Sequence, residues 1–280
     1  MGGQKYSVEQ ELQIVEEYKS GVAVNVLCEK YGYKTKKSIT DKIKKYYPDT
    51  YKEIIEEARN NRSEWEWDIK KISNKFDAYL IGLLLTDGYI TTDQKGFGLD
   101  LIDEDCISFI AKQLKTTYRK YEYNDNLAFD KYERKPRYRI VLRRKGLIED
   151  LARFGIVSNK TYDLHPPILF EEEYQFLPYL IRGIIDGDGC VYENSNNHKP
   201  NLYIITASQQ FAEWLKHILI TRLFLQGVSI NIVQSNDEKK ADLYKVEVFR
   251  ENDIKKIQCL VYDEPYGMNR KYQKINAQRL

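Results

Sequence analysis

Two carboxylates stand in nearly matching surroundings. Asp87 closes the segment Leu80-Ile81-Gly82-Leu83-Leu84-Leu85-Thr86-Asp87-Gly88, and Asp188 closes Ile181-Arg182-Gly183-Ile184-Ile185-Asp186-Gly187-Asp188-Gly189. Each segment reads as an apolar helix ending in Asp-Gly. The two lie about 100 residues apart, the size of a small domain, which predicts a unit duplicated within one polypeptide. A helix C-terminus carries partial negative charge and disfavours a carboxylate by about 0.3–1 kcal/mol, so a cation is expected beside each acid. Two carboxylates brought together repel unless they share protons or divalent metal ions. A duplicated acid therefore predicts a two-fold site that binds such ions.

The elements around the acids must bring them together. Gly82 and Gly183 are poor helix formers, and they make sense where two helix backbones approach closely. Gly88 and Gly189 would let the chain leave each helix through positive φ and place the acid at the helix tip. Asp-Gly is a common turn dipeptide after a core helix. Two copies with matching apolar runs and matching glycine spacing are much harder to explain that way. A second repeated segment follows each unit, Gly155-Ile156-Val157-Ser158-Asn159-Lys160-Thr161 and Gly267-Met268-Asn269-Arg270-Lys271-Tyr272. Lys160 and Lys271 align, giving one basic group per half-site.

These residues resemble the LAGLIDADG homing endonucleases, specifically the monomeric kind with two pseudo-symmetric repeats. The motif match spans both nonapeptides, and the similarity in element order covers residues 75 to 280. Leu85 departs from the pattern at the first acid of the motif, which Asp186 keeps. The resemblance implies two or three Mg²⁺ ions shared by Asp87 and Asp188, with Mn²⁺ able to substitute. It implies that the backbone carbonyls of Thr86 and Gly187 complete the coordination, and that cleavage across the minor groove leaves short 3′ overhangs. Lys160 and Lys271 would neutralise developing charge or polarise the attacking water.

The resemblance implies an α+β fold of two α-β-β-α-β-β-α repeats whose antiparallel sheets form a DNA-binding saddle, and the rest of the chain fits that order of elements. After the first motif helix come strand-like runs at 89–92 and 97–102, a helix at 106–114, strands at 121–129 and 137–143, and a helix at 147–154. The second half repeats the order: helix 172–186, strands 190–193 and 202–206, helix 209–224, strands 228–233 and 243–249, helix 254–262. Alternate residues of such strands face outward. Arg137, Arg139 and Arg143 share one face of their strand, as do Ser229 and Asn231, with Lys245 on the partner strand. These side chains can donate to and accept from base edges in a major groove.

Residues 1–50 read as a small all-α helix-turn-helix domain. Ser7 opens a helical pattern that ends near Gly21, a short apolar helix spans 22–31, and a basic third helix follows. Lys36, Lys37, Ser38, Thr40 and Lys42 lie on that third helix and suit phosphate and base contact. Residues 51–74 read as a charged helical connector, with Trp65 and Trp67 packed on the core. The first repeat occupies 75–166 and the second 167–280.

Composition narrows the function. The chain has 280 residues, 44 basic and 42 acidic, for a net charge of +2, so binding to duplex DNA would depend on local patches. The four cysteines, Cys28, Cys106, Cys190 and Cys259, lack zinc or disulfide spacing, and reduced thiols suit a cytoplasmic chain, nucleoid-associated or organellar. His165, His198 and His217 are scattered, so hydrolysis must rest on carboxylates. No apolar run reaches membrane-spanning length and no signal peptide is evident. Three other readings compete. A non-cleaving transcriptional regulator of this fold would usually have lost the acids. An RNA-splicing maturase fits the helix-turn-helix less well than duplex DNA does. An intein would need a nucleophile in place of Met1 and His-Asn in place of Arg279-Leu280.

Overall fold

The computed structural model describes residues 6–62, 67, 69–122, 135–143, 146–158, 160, 164–193, 200–234 and 242–277. The chain divides into two compact units, Met1–Glu66 and Trp67–Leu280.

The first unit contains α1 (Val8–Lys19), α2 (Val24–Lys30), α3 (Lys37–Tyr46) and α4 (Tyr51–Arg62). Ser7 starts α1 with a capping box. Its hydroxyl accepts from the Gln10 N–H, and the Gln10 side chain accepts from the Ser7 N–H. Ile14, Val15, Leu27, Ile39 and Ile43 form the core. Residues 51–62 are indeed helical, but α4 adds Ile54 and Ala58 to that core, so the segment expected as a connector is part of the unit.

In the second unit, the first repeat runs α5 (Lys75–Thr86), β1 (Gly88–Ile90), β2 (Gly96–Leu101), α6 (Glu104–Gln113), β3 (Arg119–Tyr121), β4 (Arg137–Arg143) and α7 (Leu147–Ala152). The second runs α8 (Leu177–Asp188), β5 (Gly189–Glu193), β6 (Pro200–Thr206), α9 (Gln209–Thr221), β7 (Val228–Val233), β8 (Leu243–Val248), α10 (Glu251–Leu260) and α11 (Asn269–Ala277). Each repeat builds a four-stranded antiparallel sheet, ordered β1-β2-β4-β3 and β5-β6-β8-β7 among the described residues. Helices cover one face of each sheet: α6 packs on β2 and β4, and α9 on β7 and β8. Along β4, Tyr138, Ile140 and Leu142 are buried while Arg137 and Arg143 are exposed, the alternation expected of a half-buried sheet.

Three elements differ from the sequence expectation. The helix expected from Glu172 begins as a 3₁₀ turn, Glu171–Phe176, and becomes α-helical at Leu177. Pro178 lies in the first α turn, where a missing N–H costs nothing. The strand expected at 121–129 pairs over Arg119–Tyr121, and residues 123–129 lie outside the described residues. Helix α11 had no apolar stripe to reveal it, since it buries only Lys271 and Ile275. Trp67 is buried, donating from Nε1 to Asp77 Oδ1 at 2.9 Å and meeting Phe97 edge-on. Trp65 lies outside the described residues.

The two motif helices, α5 and α8, pack along each other. A Cβ on Gly82 would lie 2.2 Å from the Leu180 carbonyl oxygen, and one on Gly183 would lie 2.2 Å from that of Tyr79. At Gly82 and Gly183 the two backbones thus approach too closely for a side chain to fit between them. Gly88 and Gly189 serve a different purpose from the one expected. Neither adopts positive φ, and Gly189 is extended at φ −75°, ψ 143°. They are small because the chain folds back tightly on its own helix: a Cβ on Gly88 would lie 2.6 Å from Leu84 Cα, and one on Gly189 would lie 2.5 Å from the Ile185 carbonyl oxygen.

Candidate active site and nucleic-acid interface

The α5–α8 seam ends with both acids together. Asp87 is the C-cap of α5 and Asp188 is the last residue of α8. The two helix ends touch: a Cβ on Gly187 would lie 1.9 Å from Thr86 Oγ1 and 2.7 Å from Asp87 Oδ2. Burial and the charge of Asp188 push the Asp87 carboxyl up to about 6. Asp188 is more open to solvent, yet the protein packed around it also raises its pKa, against the pull of Lys160 and Lys271.

Each helix end holds the cation that its dipole requires. Lys160 donates from Nζ to the carbonyls of Leu85 and Thr86, both at 2.8 Å. Lys271 donates to the carbonyls of Ile185 at 2.7 Å, Gly187 at 3.0 Å and Gly189 at 2.7 Å. An ammonium at the last carbonyls satisfies acceptors that a helix leaves unpaired and offsets the negative end of the macrodipole. Burial lowers both lysines, Lys160 to about 8, and the two aspartates oppose that shift. Lys271 is 7% exposed, on α11, whereas Lys160 is half-buried in a turn.

The structure therefore brings Asp87, Asp188, Lys160, Lys271, Thr86 and Gly187 to one place. Among the described residues, no group of three or more His, Cys, Asp or Glu side chains forms a metal site. The oxygen groups gathered at the two helix ends are the two carboxylates and the neighbouring carbonyls.

The outward sheet faces carry the residues expected there, in contexts the sequence did not reveal. Arg137 and Arg143 are exposed, and Arg143 pairs with Asp93 at 3.4 Å. Arg139 is held by Asp100, with Nε at 2.7 Å from Oδ1 and Nη2 at 2.6 Å from Oδ2, and its guanidinium stacks on Tyr121. In the second sheet, Lys245 pairs with Glu247 at 2.9 Å and lies over the Tyr203 ring. Glu247 also accepts from the Tyr192 hydroxyl and from Asn231, whose amide lies 3.5 Å from the Ser229 hydroxyl. Asp100 and Glu247 are the residues that sequence reasoning missed. The strand register, which pairs Asp100 with Arg139 and Glu247 with Ser229, makes them visible.

Lys36, the N-cap of α3, and Lys37, its first residue, are exposed. The Ser38 hydroxyl lies 3.2 Å from that of Thr35, and the Thr40 hydroxyl donates to the Lys36 carbonyl at 3.3 Å. Lys42 turns inward instead, pairing with Glu11 of α1 at 2.7 Å and lying over the Tyr33 ring.

Residues 176–260 match the LAGLIDADG-like domain. The fold is similar to that of the homing endonuclease I-WcaI bound to its DNA recognition sequence, with 16% identity, 74% of this chain and 88% of that one covered, and a TM-score of 0.51. Weaker likenesses are full-length DUF199/WhiA from Thermatoga maritima (12% identity, 75% of this chain and 62% of that one, TM-score 0.44) and a point mutant of I-SmaMI (11%, 73% and 90%, TM-score 0.40). No curated protein matches the chain by sequence.

Proposed function

We propose that this LAGLIDADG-family protein, with two repeats in one polypeptide, is a site-specific endonuclease that makes double-strand breaks in duplex DNA. The observation that carries this reading is the meeting of Asp87 and Asp188 at the ends of α5 and α8, with Lys160 and Lys271 on the adjoining carbonyls.

The donors gathered there are all oxygen: two carboxylates, plus the carbonyls of Thr86 and Gly187, each of which keeps a second lone pair after accepting from its lysine. A hard oxygen set suits two or three Mg²⁺ ions, or Mn²⁺ in their place. Asp87, raised to about 6 beside a second carboxylate, is a group whose charged form a shared cation would stabilise. Bound there, Mg²⁺ would supply Lewis acidity at the scissile phosphates and activate water.

Asp87 and Asp188 orient the attacking waters, one on each strand. The water oxygen bonds to phosphorus as the P–O3′ bond breaks, leaving a 5′ phosphate and a 3′ hydroxyl. Lys160 and Lys271 fix the carbonyls beside the acids and set positive charge where the phosphoryl oxygens gain negative charge. The outward faces, with Arg137, Arg139, Arg143, Ser229, Asn231 and Lys245, supply register and sequence discrimination, each mismatch costing about 1–3 kcal/mol. The N-terminal unit acts as a helix-turn-helix that adds phosphate contacts through Lys36 and Lys37. Cutting across the minor groove leaves short 3′ overhangs, the kind of break that lets a mobile element copy itself into a site.

Replacing Asp188 by Asn removes one carboxylate charge and leaves the sheet faces untouched. Asp188→Asn should abolish double-strand breaks while changing DNA affinity, read by gel shift, less than about threefold. Loss of binding together with cutting would remove Asp188 from the proposed role.

A further inference from the structure

The two repeats differ at one motif position, where Asp186 in the second stands opposite Leu85 in the first. Asp186 is fully buried, and its carboxylate accepts three hydrogen bonds. The donors are the Tyr79 hydroxyl at 2.8 Å, the Tyr262 hydroxyl at 2.6 Å and the Met268 N–H at 3.2 Å. They come from α5, from the chain just after α10 and from the residue preceding α11. The Met268 carbonyl accepts from the Tyr272 N–H at 3.2 Å, so Met268 is the entry to that helix. Asp186 thus pairs an amide at the helix entry and places negative charge at the positive end of α11. The next amide, that of Asn269, donates to Asp105 of α6 at 2.9 Å.

Helix α11 carries Lys271, and Lys271 reaches the carbonyls of Ile185, Gly187 and Gly189. The carboxylate that holds the helix is therefore flanked by two of the carbonyls its lysine grips. In the first repeat, Leu85 has no polar side-chain atom to offer. Lys160 sits in a turn and, among the described residues, grips the carbonyls of Leu85 and Thr86.

We propose that Asp186 is a positioning residue that fixes α11 and so sets Lys271 on the second half-site, making the two half-sites unequal. This rests on the endonuclease reading for its effect on cutting, though not for its effect on Lys271. Asp186 governs one strand of the break, because the other lysine is held without it.

Two variants in the full-length protein test this. Asp186→Leu installs the residue the first repeat uses at this position, and Asp186→Asn keeps one acceptor oxygen. The first readout needs no DNA: the rate at which an amine-acylating reagent modifies Lys271, measured by mass spectrometry with Lys160 as internal reference and circular dichroism as the check on folding. Asp186→Leu should raise the Lys271 rate about tenfold and Asp186→Asn by less, with Lys160 within about twofold of wild type, as loosening of one support predicts. An unchanged Lys271, or an equal rise at both lysines, overturns the proposal. The second readout is strand-specific cleavage of a plasmid carrying the target. Asp186→Leu should slow by about 10–100-fold the same strand that Lys271→Ala slows, so that nicked circles accumulate, and Asp186→Asn should recover part of the rate. Equal slowing of both strands would make Asp186 a packing residue only. If the wild-type protein cuts no DNA, the endonuclease reading fails, and the acylation rates still decide whether Asp186 positions Lys271.

Discussion

Asp87 is the residue whose ionisation most directly couples the site to its surroundings. Its carboxyl is raised from 3.8 to about 6 by burial and by Asp188. In the unfolded chain the group loses its proton near 3.8, so between about pH 4 and 6 the folded state binds more protons than the unfolded one. Without metal, stability should therefore fall as pH rises through that window and level off above it. Mg²⁺ binds the deprotonated form, so the rise in Tm that it produces should be large at pH 7 and absent near pH 4.5. Thermal denaturation with and without Mg²⁺ across this range checks both signs, and a Mg²⁺ effect that persists at pH 4.5 would count against carboxylate binding. The acid and lysine pairs were legible in the sequence because each occurs twice in the same setting. The partners of Asp186 were not, since Tyr79, Tyr262 and Met268 converge on it from three separate stretches of chain.

At the scale of elements, the α5–α8 seam sets the separation of the acids. Ala at Gly82 would gain about 1 kcal/mol of helix propensity. Its Cβ, however, would meet the backbone oxygen of Leu180 at 2.2 Å, which no side-chain rotation relieves. Gly82→Ala should destabilise the protein by about 1–3 kcal/mol in urea denaturation, with Gly183→Ala similar, and should slow cutting of both strands by spreading the acids. A stabilised Gly82→Ala protein would contradict the close-packed seam. The order of helices and strands was readable from apolar periodicity, because each sheet has one buried face. The 3₁₀ start of α8 and the whole of α11 were not: one depends on a proline-led turn, and the other is a polar helix recruited by capping acids and by the carbonyls that Lys271 serves.

For the whole molecule, net charge is close to neutral, so affinity must come from local groups rather than a general field. In the N-terminal unit, exposure separates Lys36 and Lys37 from the inward Lys42, a distinction that a count of lysines along the helix could not make. Lys36→Ala/Lys37→Ala should weaken DNA binding and flatten the dependence of log affinity on log salt by about 2, with the position of the cut unchanged. An unaltered salt slope would remove the unit from the phosphate contacts. Residues 51–62 look like a connector because most are polar or charged, yet Tyr51, Ile54, Ile55 and Ala58 pack against the core. The central claim, that two carboxylates from the two repeats make one metal-dependent cutting site, is tested most directly by incubating the purified full-length protein with a plasmid library of randomised sites, with Mg²⁺ and with EDTA, and sequencing the ends. Breaks at one long site, present with Mg²⁺, absent with EDTA and ending in short 3′ overhangs, are the predicted result; intact plasmid bearing a specific protein footprint in Mg²⁺ would contradict it.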